Sequence, residues 1–111
     1  MQQIIDIDKF EELQELLVRE IIEQIRLKLT QAGLKGEQLR EATGEIAFSI
    51  ASTIDDNANI EHNGVEVHPY LSFSDKEGFI IHCGENSFTH EFVANVMNQV
   101  FRAAARNKYP I

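Results

Sequence analysis

Apolar side chains recur with helical spacing from residue 8 to about residue 32. Asp8 and Glu11 have the spacing of a capping box, and Asp6 is a second candidate for the N-cap. Gly33 suits the position just after the end of the helix. The apolar row repeats every four residues and consists of Leu13, Leu17, Ile21, Ile25 and Leu29. This pattern predicts one long first helix.

The same periodicity predicts two further helices. The second begins at Gly36 or its neighbours and ends near residues 54–55, and its apolar residues occupy most of its sides, as in a centrally placed helix. Gly44 in its middle costs about 1 kcal/mol relative to alanine, so we expect another backbone to approach it closely. The third helix begins near Thr89, and Pro110 stops its extension.

Between the second and third helices, the alternation of apolar and polar residues is typical of strands. Asn63-Gly64 favours a two-residue type I′ turn, because both of these residue types adopt positive φ. The turn joins a short strand, residues 59–62, to a strand from Val65 to Phe73, and a third strand runs from about Gly78 to Cys83. The order α-α-β-β-β-α predicts an α+β protein, with a three-stranded antiparallel meander covered by helices on one face.

The register of the Asn63-Gly64 turn assigns the strand side chains to two faces. The core face is predicted to carry Val67, Leu71, Phe73, Phe79, Ile81 and Cys83. The outer, solvated face carries the candidate site residues Glu61, Glu66, His68, Tyr70 and His82. His68 and His82 become cross-strand or diagonal neighbours, so we expect them within reach of each other. Pro69 has no backbone N–H. We therefore expect this position of the strand to face away from a partner strand or to lie in a bulge.

Two interpretations of this outer face stay open. The first is a non-enzymatic interaction surface of an adaptor, chaperone or immunity-like protein, which binds a basic protein partner. The second is a small-ligand or metal-binding site formed by His68, His82 and Tyr70, since imidazole and carboxylate groups are metal ligands. The sequence contains no close ligand pair of the type H-x-H or C-x-x-C. We therefore favour the first interpretation and predict no metal and no cofactor.

No catalytic residue is predicted. Cys83 is the only thiol, and its sequence neighbour His82 points to the opposite face of the strand, where it cannot serve as its base. We expect Cys83 to be a small buried residue and His90 to be a surface or capping residue. The chain has neither a phosphate-binding glycine loop nor a G-x-S-x-G elbow. An enzyme is therefore not expected.

Composition narrows the class of protein. The 111 residues fit one domain, 1–111, and their net charge of −8 disfavours binding to nucleic acid. No apolar run approaches the roughly 18 residues of a membrane helix. The N-terminus lacks the features of a signal peptide and there is one cysteine, so we expect a cytoplasmic protein with no membrane partner.

The first helix suggests self-association. At 1.5 Å per residue it is a rod of roughly 38 Å, long for a protein whose expected radius of gyration is near 13 Å. Its apolar residues extend beyond the main row, at Leu16, Val18, Ile22 and Leu27. We expect a homodimer through the first helix, or docking of that helix onto a partner.

Overall fold

The computed structural model describes residues 2–106, and its helices lie where the periodicity predicts them. They are α1 (Ile7–Gln31), α2 (Gly36–Ile54) and α3 (Val93–Arg106), the last preceded by a 3-10 helix at Thr89–Phe92. The N-cap of α1 is Asp6, whose carboxylate accepts a hydrogen bond of 3.0 Å from the Lys9 backbone N–H. Gly33 ends the helix with a φ of +100°. Pro110 lies outside the described residues.

The strands form two sheets, which confirms the α+β class but differs from a single antiparallel meander. The strands are β1 (Gln3–Ile5), β2 (Ile60–His62), β3 (Val65–Val67), β4 (Phe73–Ser74) and β5 (Ile80–His82). One sheet has the order β1-β5-β4, with β1 parallel and β4 antiparallel to β5. The other is a separate ribbon of β2 and β3.

Among the described helices, none has the length and hydropathy required to cross a lipid bilayer.

Two local features account for the difference from the predicted meander. The strand predicted from Val65 to Phe73 is interrupted around Pro69, which has no backbone N–H for a ladder. The N-terminal strand β1 takes the remaining place beside β5, and its three residues are too few for a periodic signal. Val67, predicted in the core, is consequently 46% exposed on the ribbon.

The turn at the tip of the ribbon has the predicted form. Asn63 and Gly64 have φ values of +52° and +79°, as a type I′ turn requires. His62 pairs with Val65 directly beside the turn. The next pair along the ribbon is Glu61 with Glu66, so the register derived from the turn is confirmed for β2 and β3.

The core lies between the three helices, and the three-stranded sheet extends it. Its buried members are Val18, Ile22, Leu39, Ala47, Ala51, Val93, Val96, Met97, Val100 and Phe101. Phe10 of α1 continues it toward the sheet, with its ring 5.5 Å from that of Phe73. A Cβ on Gly44 would lie 3.3 Å from Met97 Cε. Close packing therefore explains this glycine, although a side chain rather than a backbone approaches it.

The ends of α2 and α3 are joined by a set of hydrogen bonds that we call the Asp55 clamp. Asp55 follows α2 directly, and its buried carboxylate accepts from Ser87 Oγ at 2.6 Å and from the backbone N–H groups of Thr89 and His90 at 2.9 and 2.8 Å. The Thr89 hydroxyl and His90 Nδ1 lie 2.9 and 2.5 Å from the same carboxylate. The N-terminus of the third helical segment is thus capped by the residue that follows α2, and the negative charge of that residue is also favoured by the helix dipole.

The clamp keeps Asp55 ionised. Burial by itself raises the pKa of this carboxyl, but the hydrogen bonds from the His90 backbone, Ser87, the His90 ring and the Thr89 backbone bring the pKa below its ordinary value. His90, expected at the surface or in a cap, is therefore a half-buried member of the clamp.

We expect Asp55→Asn to lower the free energy of unfolding by about 2–3 kcal/mol at neutral pH, because the amide NH2 would face the backbone N–H of Thr89 or of His90, which can only donate. The difference in unfolding free energy between wild type and variant should shrink as pH falls below about 4, the ordinary pKa range of this carboxyl. It should continue to shrink as pH falls through the lower pKa that Asp55 has in the folded state. Urea denaturation at several pH values measures both effects. The neighbouring change Asp56→Asn is the control, and equal stability of Asp55→Asn and wild type would contradict the clamp.

Candidate functional site

The five predicted site residues fall into two separate groups. Glu61, Glu66 and His68 lie on or directly after the ribbon, whereas Tyr70 and His82 pair with each other at the three-stranded sheet. The rings of His68 and His82 have different hydrogen-bond partners. The single outer face expected from the meander is therefore divided, because the ribbon is separate from the sheet.

The ribbon group lines a small depression that we call the acidic pocket. Its volume is about 120 Å³, and it is lined by Asn59, Ile60, Glu61, Glu66 and His68. Glu61 and Glu66 are directly opposite each other in the β2–β3 register. Glu61 Oε1 also accepts a hydrogen bond of 2.9 Å from the Gly64 backbone N–H, which fixes this carboxylate near the turn. Like charges in this arrangement repel each other and destabilise a sheet.

His68 bridges two carboxylates at the edge of the acidic pocket. Its Nδ1 lies 3.0 Å from Asp56 Oδ2, and its Nε2 lies 3.2 Å from Glu66 Oε2. Hydrogen bonding to Asp56, followed by that to Glu66, raises the pKa of His68. Only the protonated ring donates from both nitrogens, so these contacts favour the imidazolium ion.

Asp56, which contacts His68 at the edge of the acidic pocket, is not among the site residues predicted from the sequence. The sequence around it favours a turn, and in the structure both Asp56 and Asn59 adopt positive φ, +64° and +51°. These two conformations turn the chain from the end of α2 into β2 and leave the Asp56 side chain beside His68. The run Asp55-Asp56-Asn57 signalled the turn, but nothing in it identified the histidine partner.

The second group is a buried histidine covered by a tyrosine. His82 is only 8% exposed, so its expected position on a solvated face is wrong. The reason is that β5 is the central strand of its sheet, and the Tyr70 ring lies 6.0 Å from the His82 ring. Nδ1 of His82 accepts from the Gly84 backbone N–H at 3.0 Å and lies 3.2 Å from the Tyr70 hydroxyl. The neutral ring therefore carries its proton on Nε2.

Cys83 is partly exposed rather than buried as expected. Its Sγ lies 3.3 Å from the Glu85 carbonyl oxygen and 3.8 Å from that of Asn86. Backbone carbonyls are neither the bases nor the cationic neighbours that activate a thiol. Within residues 2–106, no three His, Cys, Asp or Glu side chains are grouped in a way that could hold a metal ion.

The contacts of His68 predict its titration. We expect the pKa of His68 to lie above the ordinary histidine value in wild type. The pKa should fall in Asp56→Asn and should fall by a smaller amount in Glu66→Gln, because Asp56 is the larger cause of the shift. The protonated ring favours the folded state at low pH, and this contribution is lost as pH rises through the raised pKa. NMR titration of the His68 ring protons measures the shift. Glu61→Gln is the control, and an unchanged His68 pKa in Asp56→Asn would contradict the assigned bridge.

Comparison with known proteins gives no relative from which a role could be transferred. No protein-family model, no curated protein and no solved structure matches the chain.

Proposed function

We propose that this chain is a non-enzymatic protein-binding module whose acidic pocket receives a basic side chain of a protein partner. The observation that carries the proposal is the placement of Glu61 directly opposite Glu66 on an exposed ribbon. This pair lowers the stability of the isolated ribbon, and a cation placed between the two carboxylates removes that penalty. A guanidinium or ammonium group is the cation that a protein partner supplies.

The charge around the pocket supports a basic partner. Asp56 and Glu66 contact the His68 imidazole, and Glu61 lines the same pocket, so the three carboxylates keep the site negative even when His68 is protonated. The whole chain carries a net charge of −8, which attracts a basic surface from a distance and raises the association rate. Glu61, Glu66 and His68 are solvent-exposed, so binding should weaken as salt is added.

The shape of the ribbon supports recognition of a protein rather than of an isolated amino acid. On the face opposite Glu61 and Glu66, the register places Val65 and Val67, which are both exposed. A partner that contacts the ribbon thus meets carboxylates on one side and apolar area on the other. Exposed strand edges additionally offer backbone groups for pairing with an extended segment.

Tyr70 contributes a further contact in this proposal. Its ring is exposed and its hydroxyl is held by His82, which makes it a fixed aromatic group of the kind enriched in protein interfaces. His82 acts through Tyr70, since it is buried itself. The alternative of a small-ligand or metal site requires His68, His82 and Tyr70 to act together, and their separate partners give it less support.

A matched pair of peptides tests the proposal. We expect a short arginine-containing peptide amide to shift the backbone NMR signals of residues 59–68, whereas the same peptide with citrulline in place of arginine should not. Removing two exposed charges by Glu61→Gln with Glu66→Gln should weaken arginine-peptide binding about tenfold, since each exposed ion pair contributes up to about 1 kcal/mol.

The control removes the same number of charges elsewhere. Glu41→Gln with Glu45→Gln changes two exposed carboxylates on α2 and should leave binding nearly unaltered. Equal weakening by both double variants would show a general charge effect and refute the acidic pocket. Binding of the citrulline peptide with the same affinity would refute the role of the cation.

A further inference from the structure

His68 is held between carboxylates that belong to two different elements. Asp56, in the turn after α2, lies 3.0 Å from its Nδ1, and Glu66, in β3, lies 3.2 Å from its Nε2. Glu61 of β2 lines the same acidic pocket. Within residues 2–106, these three carboxylates are the charged groups that contact the His68 ring or line the pocket with it. The protonated ring therefore occupies at Glu66 the place that a cation of a protein partner would take.

The two contacts of the ring differ in their exposure to water. The Asp56 side chain is 17% exposed, whereas that of Glu66 is 71% exposed. Water competes less for the hydrogen bond to the less exposed carboxylate, which is also the shorter contact. When the ring loses one of its two protons, we therefore expect Nδ1 to keep its proton toward Asp56 and Nε2 to lose its own.

Loss of the Nε2 proton changes what the ring presents to the pocket. Nε2 and Glu66 Oε2 are then two acceptors 3.2 Å apart with no hydrogen between them. The N–H groups of a guanidinium or ammonium ion are donors that satisfy both. The positive charge of the ring, which repels such an ion, is lost in the same step. The neutral ring thus assists the cation that the imidazolium ion excludes.

We propose that His68 makes the acidic pocket pH-dependent: as an imidazolium ion it takes the place of the partner's cation at Glu66, and as a neutral ring it releases Glu66 to that cation. This regulation rests on the proposed function, since it acts on the same pocket. The hydrogen bonds to Asp56 and Glu66 raise the pKa of His68, so the pocket stays blocked to a higher pH than an ordinary histidine would allow. The partner binds as pH rises through this raised pKa and is released on acidification.

Measuring peptide binding at two pH values tests this regulation. An N-acetylated arginine peptide amide has the same charge at about pH 5.5 and about pH 9, and both values lie above the ordinary titration range of carboxyl groups. We expect its dissociation constant for the full chain to be about fivefold higher at the lower pH, because a like charge about 4 Å away weakens binding by about this factor in water. His68→Gln should bind the peptide with nearly the same affinity at both pH values.

His62→Gln is the matched control for this variant. His62 is also an exposed histidine of the ribbon, but it does not line the acidic pocket. The change removes the same kind of titrating group from the same part of the molecule. The pH dependence of wild type should therefore remain in His62→Gln, and its loss there would overturn the specific role of His68.

A second measurement uses the wild-type chain alone. Coupling between two binding events is reciprocal, so saturation with the arginine peptide should lower the pKa of His68 in an NMR titration, whereas the citrulline peptide should leave it unchanged. Equal affinity at both pH values, or a pH dependence that persists in His68→Gln, would overturn the regulation and leave the acidic pocket in place. Failure of the chain to prefer the arginine peptide over the citrulline peptide at the higher pH would refute the pocket itself, and its regulation with it.

Discussion

The arrangement of the helices and strands depends on the hydrogen bonds that the Asp55 carboxylate accepts. It links the end of α2 to the start of the third helical segment, bonding residues 32 to 35 positions further along the chain. The segment between these points contains both strands of the ribbon and the sheet strands β4 and β5. It begins and ends beside this buried carboxylate. Closing a segment of that length has an entropic cost, and charge-assisted hydrogen bonds from backbone, hydroxyl and imidazole donors offset it.

The clamp also determines where the acidic pocket begins. Asp55 and Asp56 are neighbours in sequence with opposite environments: the first is enclosed by donors, and the second reaches outward to His68. Fixing Asp55 fixes the backbone from which Asp56 extends, and the left-handed conformations of Asp56 and Asn59 direct the chain into the ribbon. The buried carboxylate of Asp55 and the outward-reaching carboxylate of Asp56 thus belong to the same turn. The position of Asp56 follows from the burial of Asp55.

The sequence predicted those features that depend on neighbouring residues. The bounds of α1 and α2 and the turn at Asn63-Gly64 each follow from side chains a few positions apart. The N-cap of α1 is the second candidate, Asp6, whereas Asp8 lies inside the first turn of the helix. The pairing of Glu61 with Glu66 followed from the Asn63-Gly64 turn. The same alternation did not predict the positions of side chains beyond Pro69. The strand is interrupted there, so the face on which Tyr70 lies no longer follows from the register of the turn.

The missed features depend on residues that are far apart in the chain. No local pattern pairs Asp55 with Thr89 and His90, and an aspartate next to an asparagine-rich turn has an ordinary explanation already. The burial of His82 follows from β5 being flanked on both sides and from the Tyr70 ring above it. Candidate residues could therefore be named from the sequence, whereas their division between two sites required the tertiary structure.

The parallel pairing of β1 with β5 has a consequence for the order in which the molecule is assembled. Gln3 lies against Ile80, so β1 waits for a strand that is synthesised much later. The helices form from local contacts, and the N-terminal strand is added only when the central strand exists. Until then the backbone groups of β1 have no strand to pair with. Although β1 precedes the other described elements in the chain, it is thus among the last to reach its place.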